Sequence, residues 1–379
     1  MATQGGINVA IVGVGLVGSS VISQLTTIPS LASQLHIVCL QNSKKTLLST
    51  ASSPLSLTGS SDWKSQLANS STSALPLPDL VKSLQRITQD SKRHTVVVDN
   101  TSNESVASLY PEFLKAGLSV VTPNKKGLSG SLDLYKAILA NSSPDAGLKG
   151  PLVYGESTVG AGLPIISTLK DLIQTGDKVK KIEGVLSGTL SYIFNEWSTP
   201  AGGSKKFSEI VKIAKDNGYT EPHPADDLSG SDVSRKLTIL SRLVPSLTGK
   251  LPKGFESVPT HSLTPAPLES VTSGDEYVQK LPDFDGDFDA LNKAARDEGC
   301  VLRYVGVIDV EKGEIKASLE RYPSDHPFAT SLSGSDNIIA FHTERYSARP
   351  LLVQGAGAGA EVTAMGVVSD LIKVAERRG

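Results

Sequence analysis

A glycine-rich turn close to the N-terminus constrains the fold of this chain more than any other feature. Apolar residues 7–12 predict a buried strand, and residues 16–25 predict a helix. The turn between them has the pattern Gly13-x-Gly15-x-x-Gly18. In such a turn the first glycine permits the sharp bend, the second lets the backbone approach a pyrophosphate, and the third lets the helix pack on the strand. The turn therefore predicts a dinucleotide-phosphate site at a helix N-terminus.

The alternation of strands and helices continues over the first 150 residues. Further strands are predicted at 36–40, 95–98 and 118–121, and further helices at 79–87 and 106–116. Strands that alternate with helices form parallel sheets whose two faces the helices cover. We therefore predict the α/β fold class, with a doubly wound, Rossmann-type nucleotide-binding domain at residues 1–150.

The rest of the chain lacks this regular alternation of strands and helices. It predicts a second domain, of the α+β type, at residues 151–348. Its predicted strands are 179–186, 301–309, 314–320 and 337–341, and its predicted helices are 163–173, 190–197, 207–215 and 232–243. We expect these strands to form an open mixed sheet. The last segment, residues 349–379, predicts a strand at 351–353 and a helix at 360–377. One apolar face of this helix is predicted to carry Val362, Met365, Leu371, Ile372 and Ala375.

Charge and composition exclude several kinds of partner. The 37 Lys and Arg residues nearly balance the 39 Asp and Glu residues, so the formal net charge is −2. Because there is no basic field, we expect no nucleic-acid partner. No apolar run is long enough to span a bilayer, and residues 1–6 lack the basic start of a signal peptide, so we expect a cytoplasmic protein without a membrane partner. The two cysteines, Cys39 and Cys300, give neither a disulfide framework nor a zinc cluster.

The segment after the second predicted strand bears on the choice of dinucleotide. Folds of this type commonly place an acid there, on the ribose 2′-hydroxyl of NAD. No Asp or Glu precedes Asp62, whereas Ser43, Lys44 and Lys45 offer groups that can bind a 2′-phosphate. NADP and NAD therefore both stay open as cofactors, with NADP slightly favoured. The alternative is that the two lysines form a solvated turn.

Two more predicted strand ends lie at the sheet edge where ligands of open α/β folds bind. Thr101 can offer its hydroxyl and backbone groups to a nicotinamide ribose, and Lys125 places a cation beside the reacting groups. The alternative for Lys125 is a solvated loop lysine.

Polar residues of the second domain indicate the chemistry. Asp232 and Lys236 are four residues apart and share one helix face, where the carboxylate keeps the lysine charged or tunes its pKa. Helical pairs of this kind are more often surface decoration, so the spacing alone leaves both interpretations open. Glu221 can bind an ammonium group, and residues 187–189 form a small-residue substrate loop. Residues 156–164 fit either an interdomain turn or a cage of oxygen ligands for a cation.

In this order, the motifs resemble the homoserine dehydrogenase family, specifically its short monofunctional fungal form. The resemblance covers essentially the whole chain and rests on residues 12–18, 99–102, 122–126, 156–164, 183–195, 218–222, 232–236 and 354–359. It implies reversible hydride transfer between NAD(P)H and L-aspartate 4-semialdehyde, which gives L-homoserine on the route to threonine and methionine. It also implies a homodimer paired through the second domain's sheet, and a return of segment 349–379 to the nucleotide-binding domain.

The resemblance also implies roles for single residues. Three catalytic residues are implied: Lys236, Asp232 and Lys125. Lys236 would give a proton to the nascent alkoxide, and Asp232 would orient the substrate and the proton relay. Lys125 would help to position substrate and cofactor and would share in the proton chemistry. The expected substrate contacts are Glu221, Asp227, Gly188 and Thr189. The expected cofactor contacts are Gly13, Val14, Gly15, Leu16, Val17, Gly18, Lys44, Lys45, Thr101, Lys125 and Gly359. A sodium-type cation is implied on the Glu156 carboxylate and the carbonyl groups of Val159, Ala161 and Leu163.

Two other functions are compatible with the same fold. A non-catalytic dinucleotide-sensing protein is disfavoured because Lys125, Glu221, Asp232 and Lys236 are all present together. An aspartate-semialdehyde dehydrogenase needs a cysteine nucleophile, but one cysteine lies inside a predicted strand and the other immediately before one.

Overall fold

The computed structural model describes residues 5–50, 53–57, 62–143 and 150–379. The chain divides into two units, Met1–Gly162 with Gly359–Gly379 and Leu163–Ala358. Both divisions fall later in the chain than the predicted boundaries at residues 150 and 348. Residues 1–4, on which part of the targeting prediction rests, lie outside the described residues. None of the described helices is long and apolar enough to cross a membrane.

The first unit is built on a sheet that is mostly parallel. Its strands are β1 (Ile7–Val12), β2 (Leu35–Gln41), β3 (Thr46–Leu48), β4 (Thr95–Asp99), β5 (Ser119–Val121) and β6 (Val153–Tyr154). They lie in the order β3-β2-β1-β4-β5-β6, which is that of a Rossmann-type sheet, and the predicted fold class is confirmed. β3 pairs antiparallel with β2, because the turn that joins them is too short for a crossover.

Helices of the first unit connect these strands. They are α1 (Leu16–Thr27), α2 (Pro29–Ala32), α3 (Asp62–Ala68), α4 (Leu77–Ser91), α5 (Glu104–Ala107), α6 (Tyr110–Lys115), α7 (Lys125–Ser129) and α8 (Leu132–Ala140), with a 3₁₀ turn at Glu156–Thr158. The single helix predicted at 106–116 is therefore wrong, since two short helices occupy this segment. Pro111 lacks the N–H that would bond the Ala107 carbonyl in a continuous helix.

The second unit contains a sheet in which every strand pair is antiparallel. Its strands are β7 (Val179–Val185), β8 (Cys300–Asp309), β9 (Glu314–Pro323), β10 (Asp336–Thr343) and β11 (Leu351–Ala356), in the order β11-β10-β7-β8-β9. The predicted mixture of parallel and antiparallel strands in this sheet is therefore wrong. β11 was expected to return to the nucleotide-binding domain and does not, because its short link to β10 makes the two strands antiparallel neighbours.

The remaining helices cover this sheet or complete the first unit. They are α9 (Ile165–Gln174), α10 (Gly188–Trp197), α11 (Phe207–Asp216), α12 (Pro224–Leu228), α13 (Ser231–Leu243), α14 (Gly274–Lys280), α15 (Asp285–Asp297), α16 (Pro327–Thr330) and α17 (Ala360–Arg378). Three 3₁₀ turns lie at Gly254–Ser257, Ala266–Leu268 and Leu281–Phe284. α10 and α13 pack against the strands of the second sheet, and α17 packs against α1 in the first unit.

Side chains of β1 alternate between two cores. Ile7, Val9 and Ile11 pack with side chains of α1 and α17 on one face of the sheet. Ala10 and Val12 pack with side chains of α4 and α6 on the other face. Both faces are thus covered, and the carboxyl ends of the strands are the edge left for ligands.

A buried arginine holds the end of α10 that lies away from its substrate loop. Arg303 is 2% exposed, and its Nη1 donates hydrogen bonds to the carbonyl oxygens of Phe194 at 3.2 Å and Ser198 at 2.9 Å. Its Nε donates to the carbonyl of Phe328 at 2.8 Å. Burial lowers the pKa of this guanidinium to about 10, so it is charged at neutral pH. These bonds fix α10, whose N-terminus carries two of the expected substrate contacts.

Candidate active site

The glycine turn has the geometry that its motif predicts. Gly13 has φ of +88°, and Gly18 packs so closely that a Cβ there would stand 2.1 Å from the Gly13 carbonyl oxygen. Gly15 caps the N-terminus of α1, and no atom lies within 4 Å of the place where its Cβ would be. The turn therefore leaves open space at a helix N-terminus, which fits the pyrophosphate of a dinucleotide. Of the other expected contacts, Val14 and Val17 pack partly against the core, whereas Leu16 is exposed.

A buried carboxylate ties the neighbouring strand ends together. Asp99, at the end of β4, accepts hydrogen bonds on Oδ1 from the Thr101 backbone N–H at 2.9 Å and from the Thr101 hydroxyl at 2.6 Å. Its Oδ2 accepts from the Tyr110 hydroxyl at 2.6 Å and from Asn124 Nδ2 at 2.9 Å. The Asn124 side chain also caps α7, which begins at Lys125. The network thus positions the two residues predicted beside the nicotinamide.

This network was not predicted from the sequence. Burial raises the pKa of the Asp99 carboxyl, although the hydrogen bonds from Thr101, Tyr110 and Asn124 act in the opposite direction. An aspartate two residues before a threonine at a strand end is an Asx-turn pattern, and this signal could have identified Asp99. The partner Tyr110 lies on a helix, and nothing local in the sequence indicates the contact.

The two lysines after β2 differ in their surroundings. Asn42 Oδ1 accepts the backbone N–H groups of Lys44 at 2.8 Å and of Lys45 at 2.7 Å, which fixes the turn. Lys45 Nζ donates to the Ser70 carbonyl at 2.8 Å, whereas Lys44 is exposed. Lys44 is therefore the more accessible cation at this position.

The structure does not support Cys39 as the cysteine nucleophile that an aspartate-semialdehyde dehydrogenase needs. Cys39 is buried in β2, and burial raises the pKa of its thiol to about 12. A thiol with such a pKa is hardly ever the thiolate that attacks a carbonyl carbon at neutral pH.

The Asp232–Lys236 pair is more buried than the surface pairs of the same spacing. Lys236 Nζ lies 2.7 Å from Asp232 Oδ2 and donates a hydrogen bond to the Leu186 carbonyl at 2.6 Å. The Lys236 side chain is 8% exposed, whereas in the surface pair Glu276–Lys280 the lysine is 52% exposed. A lysine in an ordinary surface ion pair has no need to be buried against a carbonyl group. The buried position of Lys236 therefore favours a functional role.

A second carboxylate lies beside this pair on a separate helix. Asp227 Oδ1 lies 2.9 Å from the Thr189 hydroxyl, and its Oδ2 accepts the backbone N–H of Glu221 at 2.8 Å. Burial, together with the nearby charges of Glu221 and Asp232, raises the pKa of Asp227 to about 6 although those two hydrogen bonds act in the opposite direction. The expected substrate residues Glu221, Asp227 and Thr189 are thus brought together, and Gly188 is the first residue of α10. The carboxylates of Glu221, Asp227 and Asp232 are close enough to affect one another, and such a cluster of negative charge favours the binding of an ammonium group.

This raised pKa predicts how stability depends on pH. Folded Asp227 binds its proton more tightly than unfolded Asp227, so protonation of this carboxyl stabilises the folded state. This contribution to the free energy of unfolding is complete below about pH 4 and is lost as pH rises through about 6. Asp227→Asn removes this contribution, so relative to the wild type the variant is expected to gain about 1–3 kcal/mol between pH 4 and 7. Urea unfolding at both pH values measures the difference. Asp226→Asn, at the exposed neighbouring position, serves as control; an equal gain there would show that Asp227 does not cause it.

The expected cation ligands are divided between the two units. Glu156 is 6% exposed, and its Oε2 lies 3.8 Å from Lys373 Nζ, which is also 2.9 Å from Asp370 Oδ1. Val159 and Ala161 follow in the same unit, whereas Leu163 is the first residue of the second unit. No group of three or more His, Cys, Asp or Glu side chains in the described ranges is placed to hold a metal ion. A cation here would therefore depend on backbone carbonyl groups.

A dinucleotide turn on a Rossmann-type sheet, together with a buried lysine–carboxylate pair, defines the class of nicotinamide-dependent oxidoreductases. Two family models match the chain, "Homoserine dehydrogenase, NAD binding domain" at residues 13–146 and "Homoserine dehydrogenase" at residues 164–372. The chain belongs to the homoserine dehydrogenase family. The predicted resemblance and the predicted NAD(P)-dependent activity are both confirmed.

Curated relatives and solved structures agree with this assignment. Homoserine dehydrogenase of Saccharomyces cerevisiae is 48% identical over 98% of both chains, and that of Paracoccidioides brasiliensis is 46% identical over 98% of both. A bifunctional aspartokinase/homoserine dehydrogenase of Zea mays is 44% identical, and this chain covers 38% of it. A Candida auris crystal structure of unknown function is 45% identical over 98% of this chain and 99% of its own, with a TM-score of 0.88. A hyperthermophilic archaeal homoserine dehydrogenase in complex with NADPH shares the fold, with 21% identity, 97% of both chains covered and a TM-score of 0.66.

Proposed function

We propose that the chain interconverts L-homoserine and L-aspartate 4-semialdehyde, with Lys236 as the group that exchanges a proton with the substrate oxygen. The observation that carries this proposal is the buried ammonium of Lys236, held 2.7 Å from Asp232 and 2.6 Å from the Leu186 carbonyl. Bound nicotinamide supplies the hydride to the aldehyde carbon, or accepts it in reverse. As negative charge develops on the aldehyde oxygen, Lys236 stabilises it and gives it a proton, and Asp232 keeps the lysine oriented and charged.

The other residues of the second unit bind the amino-acid part of the substrate. Glu221 and Asp227 hold the ammonium group, while Gly188 and Thr189 at the start of α10 line the site. A substrate ammonium favours the charged form of the Asp227 carboxyl, whose raised pKa reflects burial among like charges.

In the first unit, the residues around the glycine turn and the strand ends bind the dinucleotide. Gly13 to Gly18 take the pyrophosphate, Thr101 contacts the nicotinamide ribose, and Lys125 positions cofactor and substrate. Gly359, with φ of +123°, is the N-cap of α17 in the same unit and contributes a further contact.

We expect NADP to be preferred over NAD, because the turn after β2 offers Lys44 and Lys45 and no acid. The double variant Lys44→Ala/Lys45→Ala is expected to lower kcat/KM for NADP about 10-fold or more while changing that for NAD less than about 2-fold, since one or two ion pairs with a phosphate are lost. Steady-state kinetics with both cofactors give the ratio. Lys64→Ala, an exposed lysine on α3, is the control. If the ratio does not change, the phosphate-binding interpretation is wrong.

A sodium-type cation on Glu156 and the carbonyls of Val159, Ala161 and Leu163 completes the proposal. Gly160 and Ala161 both have positive φ, +76° and +55°, and non-glycine residues in this strained conformation are concentrated at functional sites. Two buried carboxylates, Glu156 and Asp370, lie at this position, and the Lys373 ammonium near both of them balances one of their two charges. The cation would help to hold this loop, and no proton or hydride passes through it.

The proposed assembly rests on the family resemblance, and the proposed location rests on the sequence pattern. We propose a homodimer paired through the five-stranded sheet, and a site of action in the cytoplasm. No nucleic-acid or membrane partner is expected.

The direct test is oxidation of L-homoserine followed by reduced-cofactor absorbance at alkaline pH, with NADP and NAD and with varied sodium or potassium. We expect turnover with both dinucleotides, faster with NADP, and a rise in rate with one monovalent cation. If folded protein binds the dinucleotide but shows no turnover with either cofactor, the chain is a dinucleotide sensor and the proposed function is wrong.

A further inference from the structure

One carbonyl oxygen links Lys236 to the C-terminal strands of the second unit. The Leu186 carbonyl accepts a hydrogen bond from Lys236 Nζ at 2.6 Å and another from Asn337 Nδ2 at 3.0 Å. A carbonyl oxygen has two lone pairs, so these two donors fill its capacity. We propose that Asn337 is a positioning residue which, through this carbonyl, sets the place of the Lys236 ammonium. The inference rests on the proposed proton-exchange role of Lys236.

The surroundings of Asn337 indicate that its amide is not there for stability alone. Asn337 is 0% exposed on β10, and its Oδ1 is buried with no hydrogen-bond partner among the described residues. A buried amide with an unpaired oxygen costs stability relative to an apolar side chain of similar shape. Among the described residues, the side chain makes one hydrogen bond, to Leu186, which lies beside the substrate loop that starts at Ser187.

A glycine of the 354–359 segment makes room for this amide. A Cβ on Gly357 would stand 2.1 Å from both Cγ and Nδ2 of Asn337 and 2.5 Å from its Oδ1. Gly357 does not have a positive φ, so the position needs glycine for space and not for backbone conformation. This requirement gives Gly357 a role separate from the cofactor contact proposed for Gly359.

The arrangement makes a prediction for the reaction rate. Without the amide, Lys236 is the remaining partner of the Leu186 carbonyl among the described residues, and the peptide group of Leu186 and the ammonium can move together. Since a displacement of about 1 Å at a catalytic group costs on the order of 100-fold in rate, even a smaller shift lowers turnover. Substrate binding, which depends on Glu221, Asp227 and Thr189, changes little by comparison.

The test uses three variants of the full chain: Asn337→Ala, Gly357→Ala and the double variant. Each single variant is expected to lower kcat for homoserine oxidation about 10-fold or more, while KM for homoserine changes less than about 3-fold. The double variant is expected to be no slower than Asn337→Ala, because the three nearest atoms that the new Cβ would meet all belong to the Asn337 side chain. The primary isotope effect with homoserine deuterated at C4 should rise in all three, since the chemical step becomes slower than product release.

Controls separate a positioning role from a structural one. Gly249→Ala, where no atom lies within 4 Å of the new Cβ, should keep the wild-type kcat and isotope effect. If Asn337→Ala does not fold, Asn337→Ser replaces it in the same scheme. A wild-type kcat in Asn337→Ala, or losses that add in the double variant, would overturn the inference. If Lys236→Ala itself stays active, the proposed proton-exchange role fails; if it is inactive while the Asn337 variants behave as wild type, only the present inference fails.

Discussion

Lys236→Ala is expected to lower kcat for homoserine oxidation by about 10³-fold or more. The reaction needs a group that takes the hydroxyl proton as hydride leaves, and general acid–base groups contribute about 10²–10⁴-fold. The substitution also leaves Asp232 without its 2.7 Å partner and removes the hydrogen bond to Leu186. Binding of the dinucleotide should persist, because the glycine turn belongs to the other unit. Steady-state kinetics and a fluorescence titration with reduced cofactor measure the two effects separately.

The matched control for this variant is Lys280→Ala. Glu276 and Lys280 form an ion pair of the same spacing, at 2.6 Å, but on the surface of α14. Its removal should leave kcat within about 2-fold, because exposed ion pairs contribute little. Near wild-type turnover in Lys236→Ala would show that another group exchanges the proton.

Gly18→Ala is expected to destabilise the first unit and to abolish dinucleotide binding. The new Cβ would stand 2.1 Å from the Gly13 carbonyl oxygen, and backbone cannot move away as a side-chain end can. Such overpacking costs about 3 kcal/mol, and the displaced turn no longer fits a pyrophosphate. Thermal unfolding and the same fluorescence titration measure both losses.

Gly15→Ala separates folding from binding at the same turn. No atom lies within 4 Å of its Cβ position, so the melting temperature should match that of the wild type. The added methyl group stands where the pyrophosphate approaches, so affinity should fall about 10-fold or more through steric exclusion. Unchanged affinity in Gly15→Ala would mean that the dinucleotide does not cross the turn as proposed.

The sequence predicts those parts of the molecule that depend on short-range spacing. The strand–glycine–helix pattern at residues 7–25 places the dinucleotide turn, because all of its requirements lie within a few residues. The four-residue spacing of Asp232 and Lys236 likewise places both on one helix face. Burial of Lys236 against Leu186 depends on a residue that follows β7, 50 positions away, so the spacing alone could not separate a functional pair from a surface one.

Predictions failed for features that depend on residues distant in the chain. Apolar alternation reveals a strand but not the direction of its neighbour, so the second sheet was expected to be mixed although β7 pairs antiparallel with both β8 and β10. On the predicted apolar face of α17, Leu371 is buried, whereas Met365 and Ile372 are 49% and 38% exposed. The buried face is instead set by contact with α1, which periodicity in a helix with many small residues does not define.

The position of α17 also has a consequence for the order in which the chain can acquire its structure. The nucleotide-binding unit begins at the N-terminus but includes Gly359–Gly379, whose Val367, Leu371 and Val374 complete the core beneath β1 and α1. During synthesis these residues leave the ribosome after the unit of Leu163–Ala358, which is continuous in the chain. We therefore expect the unit that is started first to be completed last. A chain truncated at residue 358 should keep the antiparallel sheet and lack a finished dinucleotide site.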